Sequence, residues 1–184
     1  PCMVACPAEC SPFDFIMAAR EGHASDFRRS AGEIMHKNPL GGVCGLVCPD
    51  THCMAACSRR LFDGAIDIPL LQATIVHKAK QLGGIPAFQA VASNGRKVAV
   101  VGGGPAGLSA AGSLAQMGYA VEIFEQGDRL GGMMARIPEH RLDPRTLQTD
   151  IDFVLSLGNI TPRLNSPVED PASLLSRGYA AVCV

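Results

Sequence analysis

The sequence has no excess of charge of either sign: 16 Lys and Arg stand against 17 Asp and Glu, a formal net charge of −1. Residues 1–97 carry ten basic and eight acidic side chains, and residues 98–184 carry six and nine. Neither part has the basic surplus that contact with a phosphate backbone requires, so nucleic acid is not an expected partner. Glycine, proline or charge interrupts every apolar run before the roughly 18 residues of a membrane span. No signal-peptide pattern opens the chain at Pro1. These absences point to a cytoplasmic protein without a membrane-spanning segment. None of the five histidines has a nucleophile or carboxylate at catalytic spacing, and no Ser-His-Asp arrangement stands out. No residue is expected to act as a catalytic acid, base or nucleophile.

What is present begins with Lys97–Glu125. The apolar run Val98–Val101 turns through Gly102, Gly104, Pro105, Ala106 and Gly107 into an Ala-rich segment of helical period, and returns as a second strand, Ala120–Glu125. In such a βαβ unit Gly102 permits the tight turn, Gly104 lets a pyrophosphate approach the backbone, and Gly107 allows close packing of helix on strand. The helix offers free N–H groups and its positive dipole end to that pyrophosphate. Glu125 lies 23 residues after Gly102, where a carboxylate accepts hydrogen bonds from a ribose and repels a 2′-phosphate. It leads, through Gln126, to Gly131-Gly132 six residues on. This extension is similar to that of two-dinucleotide-binding flavoproteins, in which the second glycine pair passes close to the flavin half of FAD. It favours FAD over NAD.

Seven of the eight cysteines lie in the first 57 residues: Cys2, Cys6, Cys10, Cys44, Cys48, Cys53 and Cys57. Without a secretory signal, and beside a nucleotide fold, such a cluster reads as metal-binding rather than disulfide-bonded. Cys6-Pro7 and Cys48-Pro49 favour iron–sulfur over zinc, because a cysteine followed by proline recurs around iron–sulfur clusters. Cys183 reads as a small core residue. Between the cysteine groups, Ser11-Pro12 starts one helix and Ser25 to about Lys37 forms a second, stopped by Asn38-Pro39. A third runs over Pro69–Leu82 to Gly83-Gly84. The expected organisation is a helical cluster domain over 1–84, a linker over 85–96 and a Rossmann-like FAD domain over 97–184.

These residues together resemble a known family. Asn38-Pro39-Leu40 with Val43–Pro49, then Cys53-Met54-Ala55-Ala56-Cys57, then Ile66-Asp67-Ile68 and Gln72, and Ile137–Leu142 after the second glycine pair, are similar to the glutamate synthase small-subunit family. The likeness is greatest to its dihydropyrimidine dehydrogenase branch, including the separate bacterial NAD-dependent subunit. The resemblance implies two 4Fe-4S clusters exchanging electrons with FAD. One cluster takes Cys6, Cys48, Cys53 and the side chain of Gln72. The other takes Cys2 and Cys57, with two cysteines from a CxxC upstream of Pro1. It implies that Cys44 is structural and that Arg141 adjoins the FAD. Two features depart from the pattern: Cys10 has no counterpart, and the Cys48-to-Cys53 gap is one residue shorter. The other reading of Gln72 is a polar helix residue facing solvent.

Beyond the glycine pair, Asp143-Pro144 starts a helix to about Leu157, and Ile160–Arg163 and Ala180–Val184 read as strands of the same sheet. The fold class is α/β, a helical iron–sulfur domain followed by a Rossmann-like domain incomplete at its C-terminal end. Because Val184 falls within an apolar run, the sequence reads as a piece of a larger protein, with NAD(P)H bound by a domain outside it and a larger catalytic subunit or domain as electron partner. A non-catalytic adaptor that docks through its cysteine domain is the alternative.

Overall fold

A continuous apolar strand needs cover on both faces, and Lys97–Val101 (β1) has it: Val98, Ala99 and Val100 are all buried. The computed structural model describes residues 1–89 and 91–184. These form two units, Pro1–Pro86 with His140–Leu142, and Ala87–Glu139 with Asp143–Val184. Position 90, within the expected linker, lies outside the described residues. Among the described residues no helix is long and apolar enough to cross a membrane.

The first unit is helical: α1 (Pro12–Ala18), α2 (Ala24–Lys37), α3 (Gly41–Val47) and α4 (Ile68–Gln81). Proline suits the first turn of α1, where an N–H has no intrahelical partner. Helix α2 starts one residue earlier than the sequence suggests, and its His23 backbone N–H donates to Asp26 Oδ2 at 3.2 Å. It buries Ser30, Ala31, Ile34 and Met35, and Ser30 Oγ donates to the Phe15 carbonyl at 2.6 Å. Asp67 caps α4 by accepting from the Leu70 N–H at 3.1 Å. The buried positions of α4, Ile68, Gln72, Ala73, Ile75, Val76 and Ala79, recur at helical spacing. Each large apolar member is worth about 1.5–3 kcal/mol relative to exposure.

Helix α3 is not evident in the sequence, because its three glycines disfavour an isolated helix. Packing decides otherwise. A Cβ on Gly45 would lie 2.6 Å from the Ala73 backbone nitrogen, and one on Gly41 would lie 2.6 Å from Ile34 Cγ2. Only glycine lets α3 approach α4 and α2 this closely, and that contact holds Cys44 and Cys48 at fixed positions.

In the second unit, β1 pairs in parallel with β2 (Ala120–Phe124) and β4 (Ala181–Cys183), and β2 pairs in parallel with β3 (Ile160–Arg163), giving the order β3-β2-β1-β4. Helices α5 (Pro105–Gln116) and α6 (Pro144–Leu155) bury Leu108, Ala111, Ile151 and Val154. Around a short helix, α7 (Ser173–Ser176), Leu174 and Tyr179 pack with Ala99 and Phe124. Glu122 ties the strands together. It accepts from Lys97 Nζ at 2.8 Å, Arg163 Nε at 2.8 Å and Tyr179 Oη at 3.0 Å. Arg163, followed by Lys97 and Tyr179, holds the Glu122 carboxyl at about 2, below the usual 4.5.

Candidate cofactor sites

In the second unit the strand order reverses between β1 and β4, and the crevice at such a point, beyond the carboxyl ends of the strands, is where α/β sheets take nucleotides. The chain leaves β1 through Gly102, whose φ of +102° is open only to glycine without strain. It enters α5 with Gly104 as N-cap. A Cβ on Gly104 would meet nothing within 4 Å, so the start of α5 faces open space. A Cβ on Gly107 would collide with the Gly102 carbonyl oxygen, so close helix–strand approach depends on glycine there. Pro105 and Ala106 form the first turn of α5, where Pro105 has no N–H to leave unpaired and the Ala106 N–H belongs to the free donors of the helix start.

The second glycine pair folds back onto this turn. The Gly131 N–H donates to the Gly103 carbonyl at 2.8 Å, and a Cβ on Gly132 would lie 2.9 Å from Gly104 Cα. Glu125 braces the same loops, with Oε2 accepting from the Gly103 N–H at 2.7 Å and Oε1 from the Gly127 N–H at 2.8 Å. A carboxylate has about four lone-pair sites, so two remain for hydroxyl donors. Beside it lies a cavity of about 400 Å³ lined by Gly102, Phe124, Glu125, Gln126, Ser166 and Val168. Open, anion-favouring backbone with an adjoining acceptor and cavity fits a dinucleotide.

In the first unit Cys6, Cys48 and Cys53 form one electrostatic group. Burial, with Cys6, pushes the Cys48 thiol up, and burial, with Cys48 and Cys6, pushes up Cys53. Cys48 is the C-cap of α3 and Cys53 is buried. Cys10 is buried as well, and burial first, then Cys6, pushes its thiol up to about 12. Thiols packed this way resist ionising together, and a positively charged iron core relieves that cost, so the donor set fits an iron–sulfur cluster. Among the described residues no three His, Cys, Asp or Glu side chains are grouped as ligands of a single metal ion. A four-iron cluster takes its thiolates on separate irons, so its ligands need not converge on one point.

Cys57 sits in different surroundings. The Ile66 N–H first, and then those of Arg59 and Arg60 with the Arg59 charge, pull its thiol down. Cys2 is half-buried in the turn that opens the chain. Gln72 does not face solvent: it is buried, and its Nε2 donates to the Gly41 carbonyl at 2.8 Å. Arg141 belongs to the segment that clusters with the first unit, where its Nη2 donates to the Val47 carbonyl at 3.3 Å, one residue before Cys48.

Residues 1–83 match the family described as dihydropyrimidine dehydrogenase domain II, 4Fe-4S cluster, and residues 100–158 match the NAD(P)-binding Rossmann-like domain. The chain is 35% identical, over 95% of its length, to 42% of the NAD-dependent dihydropyrimidine dehydrogenase subunit PreT of Escherichia coli. It is 36% identical, over 99% of its length, to 44% of the Salmonella typhimurium protein of that name. It is 35% identical, over 86% of its length, to 23% of the NADPH-Fe(3+) oxidoreductase subunit beta of Geobacter sulfurreducens. The chain belongs to the glutamate synthase small-subunit-like family. As a member of this family it carries an N-terminal 4Fe-4S domain followed by a Rossmann-like dinucleotide domain. The chain spans less than half the length of these relatives.

Two parts of this family member's sites escape a reading of the sequence. The stretch 166–169 lines the nucleotide-side cavity, yet it is an aperiodic polar loop with no signature of its own. The effect of Cys6 on the Cys10 thiol has one sequence signal, the four-residue spacing of Cys2, Cys6 and Cys10.

Proposed function

We propose that this chain is the electron-transfer module of an NAD(P)H-dependent oxidoreductase, exchanging electrons between FAD and 4Fe-4S clusters. The observation that carries the reading is the presence, in one chain, of a group of neighbouring thiols in the first unit and of a dinucleotide cradle in the second. FAD supplies hydride chemistry in electron pairs and 4Fe-4S clusters carry electrons singly.

The protein's part is to hold and tune these groups. Gly102, Gly104, Pro105, Ala106 and Gly107 receive the pyrophosphate, with the N–H groups at the start of α5 aimed at it. Glu125 and Gln126 line the adenosine side, and the free lone pairs of Glu125 accept the ribose hydroxyls. Gly131, bonded to the Gly103 carbonyl, and Gly132, packed on Gly104, take the flavin side, which supports FAD over NAD in this domain. Cys6, Cys48, Cys53 and Gln72 hold one cluster, and Cys2 and Cys57 contribute to another completed by cysteines outside this sequence. Arg141, beside Cys48 in the chain's first unit, adds positive charge near the cofactors. The cluster domain is taken as 1–84 and the nucleotide domain as 97–184, joined by 85–96. NAD(P)H binds to a further domain, and a larger catalytic subunit or domain is the electron partner. The names of the relatives, all subunits of NAD- or NADP-linked oxidoreductases, support this.

The test is anaerobic reduction of the full-length protein with NADH or NADPH, followed by absorption and electron paramagnetic resonance. Bleaching of a flavin band together with reduced-cluster signals is expected. Clusters without any flavin band would identify the non-catalytic adaptor instead.

A further inference from the structure

We propose that Asn165 is a positioning residue for the nucleotide: its left-handed backbone forms a clip that holds Glu125 and closes one wall of the cavity beside it. This rests on the reading of that cavity as the adenosine side of a dinucleotide site. Asn165 follows β3 and has φ of +50°, a region that residues with a Cβ enter at a cost and that asparagine tolerates better than most. Two successive N–H groups at this bend reach neighbouring carbonyls. That of Asn165 donates to the Gly127 carbonyl at 2.8 Å, and that of Ser166 donates to the Glu125 carbonyl at 2.8 Å.

Glu125 is thereby fixed through its main chain as well as its side chain. Its own N–H donates to the Arg163 carbonyl at 2.9 Å, and its carboxylate accepts from the Gly103 and Gly127 N–H groups. The acceptor offered to a ribose therefore takes its place from the turn after β3 as much as from the glycine loops. Beyond the bend, Ser166, Pro167, Val168 and Glu169 line the cavity together with Gly102, Phe124 and Glu125. A change of φ at residue 165 to an ordinary negative value would redirect the chain, break the Ser166 bond to Glu125 and carry 166–169 away from the cavity. Asn165 is exposed, so replacing its side chain removes no buried contact and acts through the backbone.

The experiment titrates flavin-stripped full-length protein with ADP and with FAD, and measures iodide quenching of a bound fluorescent etheno-ADP. Asn165→Val is expected to weaken ADP binding roughly fivefold, the equivalent of about 1 kcal/mol for a β-branched residue forced into left-handed backbone, and to open the bound etheno-ADP to iodide. Asn165→Gly adopts that φ freely and is expected to keep affinity and quenching close to those of the parent. Parent-like ADP affinity in folded Asn165→Val, or equal weakening in Asn165→Val and Asn165→Gly, would overturn the proposal. So would weakened binding with unchanged quenching, the result of a merely structural role. If Asn165→Val does not fold, Asn165→Ala takes its place and is judged by the same comparison with Asn165→Gly. Parent protein that binds neither ADP nor FAD overturns the dinucleotide reading itself and this inference with it.

Discussion

The two units build their sites from different material. In the sheet unit the cradle is backbone: Gly102, Gly104, Gly107 and Gly132 matter for the side-chain atoms they lack, and Glu125 reaches in to brace the loops. In the helical unit the site is sulfur, and the backbone serves to hold α3 against α4 so that Cys48 lies within electrostatic reach of Cys6 and Cys53. A site made of absences is broken by adding atoms, and a site made of side chains is broken by removing them or shifting their support.

The largest effect should come from Gly107→Ala. The new methyl collides with the Gly102 carbonyl, a backbone atom that cannot rotate away. Thermal unfolding should show a loss at or beyond the upper end of the about 1–3 kcal/mol usual for overpacking, with no dinucleotide retained on purification.

Gly45→Ala is the matching test of the other unit. Its methyl would lie 2.6 Å from the Ala73 nitrogen, at a cost of about 1–3 kcal/mol. Iron and sulfide should fall while dinucleotide binding persists. Loss of both cofactors together would mean that the two sites do not depend on separate supports.

A smaller effect is expected from Glu125→Gln. The amide NH2 would face a backbone N–H where an oxygen now accepts, leaving one partly buried donor unpaired. Dinucleotide affinity, followed by fluorescence titration, should weaken roughly fivefold, equivalent to about 1 kcal/mol. An unchanged affinity would show that the brace and the ribose contact are both dispensable.

The smallest effect concerns acid. Glu122 titrates at about 2 when folded against 4.5 ordinarily, so the unfolded chain binds its proton first. The stability it contributes is present above about pH 4.5 and fades as pH falls from there toward 2. Its partners Lys97 and Arg163 are about half exposed, which screens the contribution. Denaturant midpoints of the parent should fall over that window more steeply than those of Glu122→Gln.

The sheet unit is legible in sequence because its signals are local. A buried apolar run, three glycines at fixed spacing and the cap Asp143 before Pro144 each act within a few residues, and β1, β2, β3 and α6 fall within one or two residues of where the sequence puts them. The helical unit is legible by residue type but not by packing. Gly41, Gly42 and Gly45 count against a helix on propensity, and only their contact with α2 and α4 makes α3 form. For the same reason the burial of Gln72 against Gly41 is hidden, since it requires α3 to be in place. The 166–169 side of the nucleotide cavity is hidden because parallel register, not sequence proximity, carries the chain back from β3 to the ends of β1 and β2.

The central claim, that this chain holds both iron and flavin, is tested most directly by composition. Full-length protein purified without air should contain iron, acid-labile sulfide and noncovalently bound FAD in the same fraction. Protein that is well folded yet contains neither iron with sulfide nor flavin contradicts the account.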